Sequence, residues 1–264
     1  MMRYGKFILL AFLVLFVSCL ELPEDVNLPA EKVLSVSALL QNDVAEQRLY
    51  LYRGGAVSDT SNPDIFRVSG ADVRLSVNGL TYNYTESDTS KGCYVLKNFS
   101  PQGKTLYRLI VNHPSFPQIR TETLYPAIQD FNWSYFFDSG GNLHLSWRKN
   151  AYCAGYRVDM YQWKYGFHNG WEEEYFWGSE NYYFTPDTFL IIEEKALLHQ
   201  NRKVDLKFFV FAVDKNYYDY SRFRTYFDPL DFRLVDFGNF STIENGLGYF
   251  GSVYRDSVII LRND

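Results

Sequence analysis

The sequence predicts an all-β protein: two tandem β-sandwich domains behind an N-terminal export signal. Three observations carry that expectation. Tyr and Phe number 22 each against 3 Met, and aromatic and β-branched side chains fit the half-buried surface of a sheet. Short stretches of alternating apolar and polar residues recur along the chain, separated by turn residues at the spacing of a sandwich. Helical periodicity is scarce, and its best stretch, 192–200 (IEEKALLHQ), covers little more than two turns and suits a short crossover. At 264 residues the chain has room for two domains of about 100–200 residues each.

The export signal occupies residues 1–18. Arg3 and Lys6 precede an unbroken apolar run over 7–17, which has the length of a signal-peptide core. The run falls short of the roughly 20 apolar residues that a spanning helix needs. It ends in Phe16-Val17-Ser18-Cys19, which resembles the lipobox cut by lipoprotein signal peptidase, with Phe16 in place of the commoner Leu. Relaxed lipoboxes of this kind are usual in Bacteroidota. The resemblance makes Cys19 the lipidated N-terminus and the outer membrane the protein's anchor; a plain secretory peptide with a chance cysteine is the alternative. Residues 19–30 are acidic and broken by proline, as suits a tether. Leu20 is not the Asp that retains enteric lipoproteins at the inner membrane. Glu21, Glu24 and Asp25 resemble the signals that send Bacteroidota lipoproteins to the cell surface, with the periplasmic face the other option. Cleavage removes two of the 26 basic residues and leaves 24 against 31 acidic ones, a net charge of −7. That balance carries no basic footprint for nucleic acid.

The first sandwich is expected over 31–126. Segments 33–39 (VLSVSAL) and 48–52 (RLYLY) alternate, and a polar loop covers 54–64. Over 71–77 Val73, Leu75 and Val77 share one face, and Asn78-Gly79 is a two-residue hairpin signal because both positions tolerate φ > 0. Further strands are expected at 82–84, 93–96 and 105–111. Pro114, Pro117 and Pro126 then crowd the passage to the next domain, since proline cannot sit in a central strand.

The second sandwich is expected over 127–264. Leu143-His144-Leu145-Ser146-Trp147 alternates, as does 155–161 (GYRVDMY). The stretch 206–213 (LKFFVFAV) leads into Asp214 and a turn-like polar segment reaching Ser221. This order of Leu-x-Trp, Gly-Tyr-Arg-Val and Phe-x-Val-x-Ala-Val-Asp resembles the B, C and F strands of a fibronectin type III module, within the immunoglobulin-like sandwiches. The resemblance makes Trp147 and Tyr156 core residues whose role is packing.

Taken whole, the chain resembles the Bacteroidota lipoproteins of the domain of unknown function 4249 family. The likeness rests on the lipobox, on VSGADVRLSVNG followed by GCYVL and GKTLYRLIV, on the fibronectin-like half, and on the closing Ile243-Glu244-Asn245-Gly246-Leu247-Gly248-Tyr249-Phe250-Gly251-Ser252. In that last segment Gly246, Gly248 and Gly251 let the backbone take φ > 0 or approach another strand closely. Family members are encoded, as a rule, beside TonB-dependent outer-membrane receptors. The resemblance therefore implies nutrient uptake, with such a receptor as partner, and supplies neither ligand nor active-site residue.

No chemistry-bearing constellation stands out. His113, His144, His168 and His199 lack metalloprotease or zinc-ligand spacing, and no nucleophile elbow, P-loop or dinucleotide fingerprint occurs. His168 with Glu172, Glu173 and Glu174 reads more simply as a solvated acidic turn than as a metal site. Asp59, Asn62 and Asp64 could supply oxygens to Ca²⁺, but they are also what polar loops are made of. No cofactor or metal is expected. Cys93 and Cys153, the thiols besides Cys19, could pair in an oxidising compartment or sit as separate buried thiols.

The candidate binding surface is the aromatic stretch 163–184, with Trp163, Trp171, Trp177, Tyr182 and Tyr183. Exposed Trp and Tyr rings combine flat apolar area with a polar edge, and Gly166, Gly170 and Gly178 suggest loops. Long amphipathic strands with core aromatics would show the same alternation. The expected function is a non-enzymatic accessory of a TonB-dependent transporter; a structural or adhesive surface protein is the alternative, and an enzyme the remote third.

Overall fold

The computed structural model describes residues 33–53, 66–168, 171–197, 204–226 and 242–260, without the side chains of 162–182, 204–205 and 222–226. The signal, Cys19, the tether, and the loop bearing Asp59, Asn62 and Asp64 lie outside the described residues. So does His199.

Alternation in the first half becomes two layers. Strands β1 (Leu34–Gln41), β2 (Glu46–Arg53), β5 (Thr85–Ser87) and β6 (Ser90–Lys97) belong to one sheet, and β3 (Asp72–Val77), β4 (Leu80–Asn83), β7 (Leu106–His113) and β8 (Phe116–Leu124) form another. Every second residue of β1 is buried, Leu34, Val36, Ala38 and Leu40, and these meet Val73, Leu75 and Val77 of β3 and Leu109 and Val111 of β7 in one core. Asn78 and Gly79 take φ of 49° and 80° and join Val77 directly to Leu80, the expected two-residue hairpin. The prolines are arranged differently from the linker expected of them. Pro114 stands at the turn between β7 and β8, and Pro117 lies within β8, which is an edge strand, where a missing N–H is tolerated. The passage to the second half is 125–133, and it is pinned. Tyr125 is fully buried and donates its hydroxyl to the Val253 carbonyl at 2.7 Å. The buried Asn150 side chain accepts from the Ala127 N–H at 3.2 Å and donates to the Ala127 carbonyl at 2.8 Å.

The second core is built from β9 (Ser134–Phe137), β10 (Leu143–Ser146) and β13 (Phe189–Ile192) facing β11 (Gly155–His168), β12 (Trp171–Thr185), β14 (Val204–Val213) and β15 (Leu247–Ile260). Trp147 and Tyr156 lie at its centre, 5% and 1% exposed, with ring centroids 5.3 Å apart in an edge contact. Their expected role, packing, is the role they have. The crossover expected at 192–200 is a single 3₁₀ turn, Glu194–Ala196, within the described part of that stretch.

The expected division at residue 127 separates the two cores but not the sheets. Strand β15 pairs in parallel with β1 from Ser35↔Leu247 to Gln41↔Val253, and antiparallel with β14 from Val213↔Val253 to Leu206↔Ile260. One eight-stranded sheet, ordered β12-β11-β14-β15-β1-β2-β6-β5, thus backs both sandwiches, and residues 32–264 form one compact unit. Phe250 of β15 lies in the first core and Ile260 in the second. The closing glycine and aromatic segment accordingly completes the first sandwich rather than trailing the second. Its glycines are needed there: Gly248 has φ +95° and a Cβ on it would lie 2.1 Å from the Val36 carbonyl oxygen, while a Cβ on Gly251 would lie 2.7 Å from Tyr217 Cβ.

A helix replaces the turn expected after Asp214. Helix α1 (Lys215–Tyr226) packs over the outer face of the shared sheet, where Tyr217 and Tyr218 join Leu39, Phe184, Phe211, Val213 and Val253. Asp214 caps it. The side chain accepts from the N–H groups of Asn216 at 3.2 Å and Tyr217 at 3.0 Å, the pattern that satisfies the otherwise orphaned donors of a first helical turn.

Candidate functional site

The aromatic stretch is strand rather than loop. Strands β11 and β12 pair along nearly their whole length, from Tyr156↔Thr185 to His168↔Trp171, with one irregularity between Met160 and Gln162. Gly166 is paired inside its strand, opposite Glu173, whereas Gly178 falls at the irregularity, where residues 178–180 stand against Tyr161 alone; the loops inferred from the glycines are replaced by a long hairpin with a bulge at Gly178. Its register sets Trp163 opposite Phe176, Trp177 opposite Gln162, Tyr182 opposite Asp159, and Trp171 beside the hairpin tip. The side chains of Trp163, Trp171, Trp177, Tyr182, His168 and the three glutamates lie outside the described residues. Tyr183 is described: half-buried against the second core, opposite Val158, with its hydroxyl pKa pushed up by burial. The structure therefore brings Tyr183 to the core rather than to a contact surface.

Cys93 and Cys153 are free thiols, which corrects the disulfide left open above. Cys93 stands on β6 opposite Tyr50, on the face turned away from the first core, whereas Cys153 packs against the second core and its Sγ lies 3.3 Å from the Asn150 carbonyl. Burial pushes the Cys153 thiol pKa up, the opposite of what a reactive thiolate needs.

The buried polar groups serve architecture. Asp214 is 4% exposed and, besides its cap, accepts from the Ser252 N–H at 3.0 Å and the Thr123 hydroxyl at 2.7 Å, tying α1, β15 and β8 together. Burial pushes its carboxyl pKa up, against donors that pull it down. Asp138 organises the β9–β10 turn. Its Oδ2 lies 3.0 Å from His144 Nε2 and 3.0 Å from Asn142 Nδ2, and its Oδ1 accepts from the N–H groups of Gly140 and Asn142 at 2.9 Å. The His144 and Asn142 contacts hold its carboxyl well below the usual carboxylate range. His144 stacks on Phe136 at 4.4 Å, and the nearby Ser146 hydroxyl bonds the Ser134 carbonyl, so this pair lacks an activated nucleophile. Phe136, Phe189 and Ile191 stand exposed on the outer face of the same small sheet. Among the described residues no three His, Cys, Asp or Glu side chains gather as metal ligands.

The feature that sequence reasoning missed is a groove of about 640 Å³ on the outer face of the shared sheet, lined by Ser37, Leu39, Gln41, Val44, Ala45, Glu46, Arg48, Tyr50 and Tyr249. Val36 and Ala38 face the core, so Ser37 faces out. In register, Ser37 stands beside Tyr50 on one side and Tyr249 on the other. Tyr50 stacks with Tyr52 at 6.4 Å, and Tyr249 meets Tyr220 at 4.3 Å and Tyr217 at 5.6 Å. Arg48 pairs with Glu46 at 3.1 Å at the rim. Strand alternation could flag each tyrosine as outward-facing; the parallel pairing that joins them spans almost the whole chain and has no local signature.

Strand pairing and the two cores define an all-β sandwich protein with an open groove on a shared sheet. The chain belongs to the family described as Domain of unknown function (DUF4249), whose family model matches residues 20–257. A search of curated proteins finds no match. Solved structures similar to this chain include a cytokine receptor complex, at 10% identity and TM-score 0.31, covering 86% of this chain and 96% of that one. Another is a segment of two fibronectin type III domains from chicken tenascin, at 12% identity and TM-score 0.26, covering 87% and 98%.

Proposed function

We propose that the protein is an outer-membrane lipoprotein, held through lipid on Cys19, that serves a TonB-dependent nutrient transporter as a non-enzymatic accessory by capturing substrate or contacting the receptor. The observation that carries capture is the open, tyrosine-walled groove on a sheet made rigid by pairing on both sides. Concave sites with aromatic walls and a few polar groups are where small ligands bind. The anchor rests on the sequence, where Phe16-Val17-Ser18-Cys19 closes an apolar run of signal-peptide length. The receptor partnership rests on the family resemblance. The non-enzymatic part of the reading rests on the sequence, in which no catalytic motif stands out.

The test is affinity purification of the tagged full-length protein from its native outer membrane, with Cys19→Ala in parallel. The expected result is a receptor co-purifying with the wild type, lipid on the wild-type N-terminus, and unprocessed or released Cys19→Ala protein. An unlipidated wild-type N-terminus with unchanged membrane fractionation would end the anchor reading. A lipidated protein that brings no receptor would favour the structural or adhesive alternative.

A further inference from the structure

Resting on the capture reading, the geometry points to a ligand class: the groove between Tyr50 and Tyr249 is a site for one pyranose ring of an uncharged oligosaccharide. The two tyrosines stand on strands β2 and β15, separated by β1 alone, and the β1 residue between them is Ser37. Two strand spacings place the wall backbones about 9 to 10 Å apart. A ring in contact with both walls needs about twice the carbon contact distance, roughly 7 to 8 Å. With a small floor residue between them, side chains on strands that far apart leave room for one saturated ring. Each tyrosine is held by aromatic neighbours, Tyr50 by Tyr52 beside it on the same strand and Tyr249 by Tyr220 and Tyr217 of α1, which lowers the ordering cost of binding.

The polar chemistry fits hydroxyls. Among the described residues the Ser37 hydroxyl and the Gln41 side-chain amide have no hydrogen-bond partner, and both donate and accept, as a sugar hydroxyl does. The charged residues lining the groove, Arg48 and Glu46, pair at the rim at 3.1 Å, where Glu46 also lies 3.9 Å from Lys97, and the floor carries no charge to select an ionic ligand. A peptide is disfavoured by topology. Strand β1 is paired on both sides, by β2 and β15, and offers no edge to which a peptide backbone could add.

The full-length acylated protein, in a detergent without a sugar headgroup, is screened on an array of neutral hexose and pentose oligosaccharides, and the strongest binder is measured by calorimetry. Tyr50→Ala and Tyr249→Ala are each expected to weaken binding by about tenfold or more, as buried aromatic contacts do. Ser37→Trp, which fills the slot, is expected to abolish it, with circular dichroism reporting the fold. Binding of no neutral glycan, or binding indifferent to a folded Ser37→Trp, overturns the proposal. Receptor co-purification separates the two ideas: if it persists while glycan binding is absent, only the sugar assignment falls. If glycan binding follows these variants while no receptor co-purifies, the site stands and the transporter reading falls.

Discussion

Removing the Asp214 carboxylate tests whether the two sandwiches are locked at one point. Asp214→Ala deletes the acceptor for four donors: the Thr123 hydroxyl and the N–H groups of Asn216, Tyr217 and Ser252. The Thr123 hydroxyl has a ready substitute in Ser252 Oγ, 3.0 Å away. The helix loses its cap, at about 0.5–2 kcal/mol. The Ser252 N–H is fully buried, and a buried donor without an acceptor costs about 1–3 kcal/mol. Together these give a loss of about 1.5–5 kcal/mol, a large part of the roughly 5–15 kcal/mol by which domains are usually stable. Asp214→Asn keeps the oxygen that serves Tyr217 and Ser252 but sets an NH₂ against the Asn216 N–H, and is expected to cost about 1–2 kcal/mol. Urea unfolding followed by circular dichroism and tryptophan fluorescence measures both. A loss below about 0.5 kcal/mol for Asp214→Ala, the range of ordinary surface changes, would refute the lock.

Other expectations are as specific. Gly248→Ala should cost more than the 1–2 kcal/mol typical of a left-handed non-glycine residue, because its Cβ meets the Val36 carbonyl at 2.1 Å; unchanged thermal unfolding would contradict the β1–β15 pairing. The Asp138 carboxyl is held below its unfolded value of about 3.9, so its contribution is present above that pH and lost as pH falls toward the folded value. The stability gap between wild type and Asp138→Ala should therefore be full at neutral pH and narrow below about pH 4; a pH-independent gap would assign the loss to the turn backbone. Alkylation without reduction, followed by mass spectrometry, should label Cys93 and Cys153 fully only after denaturation, with Cys153 slow in the folded protein; a peptide cross-linked through both would restore the disulfide. Trp171→Ala, at the hairpin tip, should weaken receptor association by about 1–2 kcal/mol and leave stability within about 0.5 kcal/mol; strong destabilisation with association intact would make that ring part of the core.

What the sequence made legible is local. Asn78-Gly79 specifies its turn by the φ values its residues tolerate, and the alternation around Leu143, Leu145 and Tyr156 fixes which side chains face the second core. Gly248 and Gly251 were readable as positions of unusual backbone, though not what crowds them. Helix α1 was hidden because KNYYDYSRFRTY is polar and aromatic without a clean apolar stripe, and its one available signal was Asp214 as a cap. Pairing between β1 and β15 was hidden for a different reason. Register over some two hundred residues is decided by which faces must be buried together, and that depends on both cores at once.

That pairing also decides where a ligand can sit. Ser37 and Tyr249 become neighbours only because the last strand returns to the first, and Tyr249 is braced because Gly251, two residues on, lets α1 lie close against the same strand. The strand that closes the first sandwich also runs on into the sheet of the second, so the groove wall, the helix and both cores share β15. Deformation of either sandwich is therefore felt at the slot. Loss of the Asp214 lock should loosen the Tyr249 wall and weaken ligand binding without any change to a groove residue.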